Sequence, residues 1–260
     1  MLIGRILFVF IFFTMQVVLT ITKNDKKLVL DSKECIRDAP FEWFEDLNEW
    51  FVDNNRWKNV AIVQSSVCID YLMIGYLVIF FFWGTTTRVP TALVMFYPLR
   101  NLIQTVFLMG RLKGFLWSWP DVQSLTVPYF DTNDFYYSGH VGNTTIMSME
   151  FLAMRWYKHA AFAIFSVIDV WITLTWLRTH YIIDFTTGYA VGRLVHRWAE
   201  KATYYMDVKL LGWPKEKRYS YYFDICGKCG WGSEAVLQVT SQAEVDFQKK
   251  LRHALLGGKI

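Results

Sequence analysis

An all-α integral membrane protein, a bundle of six transmembrane helices with a soluble cytosolic C-terminal tail, is the fold class this sequence predicts. Three observations lead there. Hydrophobic residues make up 53% of the 260 and charged ones only 19%, against roughly 25% charged in an ordinary soluble domain. The apolar residues fall in long blocks. Lys and Arg recur through the last 60 or so positions, which are otherwise polar. These features exclude a disordered, collagen-like or coiled-coil chain. A net charge of +4 is too mild to argue for nucleic acid. Four cysteines do not make a disulfide scaffold.

The first block, residues 2–21, is long enough to cross a hydrocarbon core of about 30 Å as a helix. A signal peptide would share its Arg5-then-apolar pattern, but no small-x-small cleavage site follows. The sequence therefore predicts a retained helix over 1–22. Residues 23–59 are polar and mixed in charge. Within them the aromatics of 41–51 recur at helical spacing, predicting a short amphipathic helix at headgroup depth. The second block, 60–83, is the clearest span. The third, 89–109, follows the connector Gly84-Thr85-Thr86-Thr87-Arg88 and carries Arg100 near its middle. After a Gly/Pro/Trp-containing loop over 110–138 come three weaker blocks, 141–157, 160–177 and 181–198. Each sits near the lower limit for a span and carries polar groups expected to face the bundle interior. This gives a five-helix core over 60–198 and a basic tail over 199–260.

Six spans put both termini on one side. The basic tail, Arg193 and Arg197 make that side cytosolic by the positive-inside rule, and Arg88, Arg155 and Lys158 fall there too. The fourth and sixth spans then run in the same direction, and their entrances share the non-cytosolic face. Those entrances hold the two segments with the most chemical potential: Asp134-Phe135-Tyr136-Tyr137-Ser138-Gly139-His140 and His180-Tyr181-Ile182-Ile183-Asp184.

His180 and Asp184 are four apart and share one helix face. A carboxylate there accepts a hydrogen bond from one imidazole nitrogen, fixes the tautomer and raises the basicity of the other. That second nitrogen becomes a nucleophile. Ser138-Gly139-His140 supplies a second imidazole and a glycine that lets backbone approach a ligand. The N-terminus of the fourth span suits an anion. Two histidines around an anion fit phosphoryl transfer, one attacking phosphorus and one protonating the leaving oxygen.

These paired segments resemble those of the lipid phosphatase/phosphotransferase superfamily, the type 2 phosphatidic acid phosphatases. The resemblance is greater to the sphingomyelin synthase-like branch, with its Cys-Gly-Asp-x3-Ser-Gly-His-Thr and His-Tyr-[Ser/Thr]-x-Asp segments. Here Thr132, Asn133 and Val141 stand in place of the Cys, Gly and final Thr, and Ile182 in place of the Ser/Thr. The plant phosphatidylcholine:diacylglycerol cholinephosphotransferases share the layout, including a Ser-Gly-His-Val start to the fourth span. The resemblance covers roughly residues 60–200.

The resemblance implies that His180 is the nucleophile, carrying a phosphohistidine, and that Asp184 orients it. His140 would be acid toward the departing diacylglycerol oxygen and then base for the acceptor. Asp134, Ser138, Gly139 and Tyr181 would line the substrate site. The phosphatase branch carries an Arg six residues before its second His. Position 174 is Leu, and the nearest candidate is Arg178. That departure argues for a transferase moving a phosphocholine-type head group from a phospholipid donor to diacylglycerol or ceramide. It would act on the lumenal face of the endoplasmic reticulum or Golgi, with the plasma membrane open and homo-oligomerisation undetermined. No cofactor and no metal are implied. The rivals are a lipid phosphate phosphatase, a phospholipase C-like hydrolase and a non-catalytic scramblase or scaffold.

Arg100 is a phosphate clamp or a structural partner of Asp70 or Asp169. Glu150 reads as a hydrogen-bonded mid-span residue, and His159 and His196 as interfacial. Tyr136, Tyr137, Tyr181 and Trp119 are candidates for a cage around choline. Cys226-Gly227-Lys228-Cys229 lacks a second pair for zinc and reads as free thiols, as do Cys35 and Cys68.

Overall fold

The computed structural model describes residues 2–24, 38–107, 109–129, 135–154 and 156–213. Every regular element among them is helical. Each apolar block forms one: α1 (Leu2–Asn24), α4 (Asn55–Trp83), α5 (Arg88–Val106), α6 (Gly139–Ala153), α7 (Tyr157–Trp176) and α8 (Ile182–Tyr204). The expected amphipathic segment is two short helices, α2 (Ala39–Trp43) and α3 (Glu45–Asp53), interrupted at Phe44. Asn48 of α3 faces the bundle, its amide donating to the carbonyls of Gly114 (3.1 Å) and Trp176 (2.8 Å). Residues 25–37, Asp134 and 214–260, with Cys35, Cys226 and Cys229, lie outside the described residues. Cys68 is buried and free.

Among the described residues two helices, α4 and α7, are long and apolar enough to cross a membrane. The polar content of α5, α6 and α8 keeps them below that mark. Arg88, Arg100 and Gln104 are buried on α5, Asn143, Thr144, Thr145, Ser148 and Glu150 on α6, and Asp184 and His196 on α8. With 15 residues, α6 rises only about 22 Å. It is buried along most of its length and packs on α7 and α8; α5 lies against α8, α4 against α7, and α1 on α4 and α5.

α6 and α8 meet backbone to backbone. A Cβ on Gly188 would lie 2.5 Å from the Ser138 carbonyl oxygen, and one on Gly192 2.8 Å from that of Gly142. Glycines one turn apart permit such close approach, and it brings the start of α6 beside the start of α8.

The loop after α5 folds back along the bundle as far as the middle of α4. There the Asp70 carboxylate accepts from Ser124 Oγ (2.8 Å), Leu125 N (3.0 Å), Thr126 N (2.8 Å) and Thr126 Oγ1 (2.6 Å). Asp70 is therefore occupied by this loop, and Asp169 accepts from Gln64 Nε2 at 2.7 Å; Arg100 donates to a backbone carbonyl, described below.

The opposite end of the bundle corrects two expectations. Arg88, expected in the connector between the second and third blocks, opens α5, is fully buried and clamps Glu150 through Nε (2.6 Å) and Nη2 (3.0 Å). His196, expected at the interface, is buried with Nε2 3.0 Å from the same carboxylate. Three charged or ionisable groups from α5, α6 and α8 thus share one site, because a buried charge is tolerable only when paired. Close by, Asp207 accepts from Thr86 Oγ1 and Thr87 N. Arg5 donates to the carbonyls of Phe81 (3.2 Å) and Phe82 (2.6 Å), tying α1 to the end of α4.

Candidate active site

The start of α8 is built around one carboxylate. Asp184 sits in its first turn and reaches back, Oδ2 accepting from Tyr181 N (3.0 Å) and lying 3.1 Å from His180 Nδ1, while Oδ1 accepts from Tyr136 N (2.8 Å). An acidic residue in this position satisfies helix N–H groups that would otherwise lack partners. Reaching it requires Tyr136 to take φ +75°, a left-handed conformation rare outside glycine. A further N-terminal N–H, that of Ile182, donates to Asp38 Oδ2 at 2.7 Å. The Asp184 carbonyl accepts from Ser138 N (3.1 Å). The two motif segments are thereby stitched together by a bond between residues 46 positions apart.

Asp184 is fully buried and His180 is 2% exposed. With Nδ1 held by a pure acceptor, the imidazole is the Nδ1–H tautomer, and Nε2 carries the lone pair. His140, half-buried on the first turn of α6, presents its ring edge-on to His180 with centroids 5.8 Å apart. Phe135 and Phe185 flank His180 at 6.4 and 5.8 Å, and Trp117 packs on His140 at 5.5 Å. Two imidazoles at this separation can address one small group between them, one nitrogen as nucleophile and the other as proton carrier.

The remaining expected residues surround this pair. Ser138 caps α6, its Oγ accepting from Val141 N at 3.4 Å. Arg100 donates from Nε to the Tyr137 carbonyl (2.8 Å). Its guanidinium lies where Gly139 lacks a Cβ, which would come within 3.1 Å. Arg100 is therefore at the entrance of α6, beside His140. Tyr181 is buried, its hydroxyl donating to the Gly110 carbonyl (3.0 Å). Arg178, at φ +50°, donates to the carbonyls of Lys113 (3.2 Å) and Phe41 (2.9 Å), clasping α2 and the loop after α5 over the turn that ends α7.

The aromatic candidates divide. Tyr137 is buried, and burial pushes its hydroxyl well above the ordinary range against the pull of the Arg100 guanidinium. Tyr136 stacks on Phe107 at 4.8 Å. Trp119 is half-exposed and joins a cluster the sequence did not single out: Tyr129 lies 5.7 Å from Trp119 and 5.8 Å from Trp117, which touches His140. Asp38 and Trp117 were missed for want of a local signal, since each reaches its partner across a long stretch of chain.

A family model described as AtPDCT1/2, phosphatidylcholine:diacylglycerol cholinephosphotransferase, matches residues 37–201, well over half the chain. The chain belongs to this family. Membership implies a phosphotransferase of lipid metabolism with lipid substrates, and with the apolar helices α4 and α7 it points to membrane association. No curated protein and no solved structure matches the chain. The matched region holds α2 to α8 up to Lys201, both histidines and Asp38, and leaves α1 outside.

Proposed function

We propose that the protein transfers phosphocholine from phosphatidylcholine to a diacylglycerol hydroxyl through a phosphohistidine on His180. The observation that carries this reading is the His180–Asp184 pair, buried and edge-on to His140 at 5.8 Å, within a chain of the AtPDCT1/2 family. His180 Nε2 attacks phosphorus, the bond from phosphorus to the diacylglycerol oxygen breaks, and His140 gives that oxygen a proton. His140 then takes the proton of the acceptor hydroxyl, the acceptor oxygen attacks phosphorus, and the phosphorus–Nε2 bond breaks. Asp184 stabilises the imidazolium character of His180 throughout. Arg100, beside Gly139, offsets the charge that builds on the phosphoryl oxygens. The choline ammonium lies one ethyl linker from the phosphate. Trp117, backed by Tyr129 and Trp119, is placed to receive it by cation–π contact.

α1, α4, α5, α6, α7 and α8 serve as six spans with the histidines at the lumenal mouth and the tail from 199 in the cytosol. Diacylglycerol is the acceptor favoured by the family; ceramide is an outcome for the assay to decide.

The test is purified protein in detergent micelles with choline-labelled phosphatidylcholine and unlabelled diacylglycerol or ceramide. Label moves into new phosphatidylcholine, and His180→Ala abolishes the movement. Release of labelled phosphocholine to water in place of transfer would make the enzyme a hydrolase. Undiminished transfer by His180→Ala would remove the assigned nucleophile.

A further inference from the structure

Away from the histidines the bundle holds an apolar cavity of about 320 Å³ between α1, α4, α5 and α6, with Leu125 and Thr126 of the folded-back loop at its edge. Val9, Met73, Phe80, Leu93 and Met147 are among its walls. Two of these place it relative to the site. Leu93 precedes Arg100 by seven residues on α5, and Met147 follows His140 by seven on α6. Two helical turns, about 10 Å, therefore separate the near end of the cavity from the candidate active site along both helices. Val89, also in the wall, lies four residues further down α5, so the cavity extends to about 16 Å below Arg100.

From this register we infer that the cavity takes one acyl chain of the glycerolipid whose phosphate sits between His140 and His180. The inference rests on the transfer reading above. A phosphate at that site leaves the glycerol just beneath it, and a chain leaving the glycerol runs down α5 and α6 along the line that reaches Leu93 and Met147. The wall contributed by Phe8, Val9 and Phe13 belongs to α1, outside the family-matched residues 37–201. Chain selection is thus shared between the family-matched core and a helix outside it. Bilayer lipid is as apolar as the cavity, so the gain comes from shape, and the signature is selectivity between chains. One or two methylenes in a fitted apolar pocket change specificity by about tenfold or more.

The experiment compares dioleoyl- with dihexanoyl-phosphatidylcholine as donor in micelles, using the full chain and two cavity-filling variants, Val9→Trp and Leu93→Trp. The short donor does not reach the cavity, and its kinetics should stay within about twofold of wild type, which also reports an intact fold. For the long donor kcat/KM should fall about tenfold. Equal losses on both donors, or no loss on the long one while Val9→Trp retains short-donor activity, would overturn the assignment. A wild type inactive on both donors would sink the transfer reading alone. The cavity is then decided by crosslinking with phosphatidylcholine bearing a diazirine at the end of one acyl chain. Adducts on residues 8–13 and 73–80, competed by unlabelled lipid and lost in Val9→Trp, support it. Adducts spread over the outward-facing Val78 and Phe82 without competition reject it.

Discussion

Two buried histidine–carboxylate pairs stand at opposite ends of this bundle. His180–Asp184 and His196–Glu150 have nearly the same length, 3.1 and 3.0 Å, and in each the histidine is 2% exposed and the carboxylate fully buried. Their surroundings differ. Glu150 also carries the doubly bonded Arg88, so its charge is met by a full counter-charge and the trio ties α5, α6 and α8 together. Asp184 is met differently. It is held by two backbone N–H groups and one imidazole, and that imidazole faces a second one. A carboxylate balanced by an arginine makes a clamp. A carboxylate held by peptide dipoles is left to polarise a histidine, the disposition that chemistry requires. The pair alone therefore predicts nothing; its third and fourth partners decide.

The sharpest way to break this comparison is to exchange the consequences of alanine. His180→Ala should cut transfer by at least about 10⁴-fold, as loss of a nucleophile does, while the thermal unfolding midpoint in detergent moves little. His196→Ala should do the reverse, lowering the midpoint and leaving kcat/KM of the folded fraction within a few-fold. If both variants behaved alike, the distinction would fail. Next in size is Asp184→Asn, expected to lower kcat by about 10²–10⁴ through loss of the oriented tautomer. Glu150→Gln, leaving Arg88 and His196 without their anion, should cost about 3–5 kcal/mol, read as a lower denaturation midpoint. Gly188→Ala comes third. Its Cβ would meet the Ser138 carbonyl at 2.5 Å, costing about 1–3 kcal/mol and moving α6 from α8. Transfer should drop well beyond the stability loss, because the ring separation changes. The smallest effect belongs to Asp38→Ala, which removes a carboxylate from the start of α8 for about 1 kcal/mol and should alter KM no more than a few-fold.

Much of this fold is legible along the chain because apolar blocks announce helices. All six blocks are helical, and among the described residues α4, from the clearest block, and α7, from a block that read as weak, meet the requirement for a span. Helix ends were less visible. α8 continues to Tyr204, six residues past its expected end, because Ala199 and Thr203 still bury themselves on a helix whose other faces are polar. The motif pair could be read because His180 and Asp184 are four apart, and helical geometry does the rest. The shared site of Arg88, Glu150 and His196 could not, since its members lie 46 and 62 residues apart and no local pattern records such a meeting. The same holds for Asp38, which reaches Ile182 across 144 positions, and for Trp117 against His140. Arg178, the nearest candidate for the phosphatase-branch arginine, donates to two peptide carbonyls.

Leu125 and Thr126 of the folded-back loop lodge halfway along α4 by way of Asp70, since the peptide groups there find an acceptor in that side chain. A chain carrying Asp70→Ala would leave Ser124, Leu125 and Thr126 without that acceptor, and residues 118–127 should become open to an added protease while the helices hold.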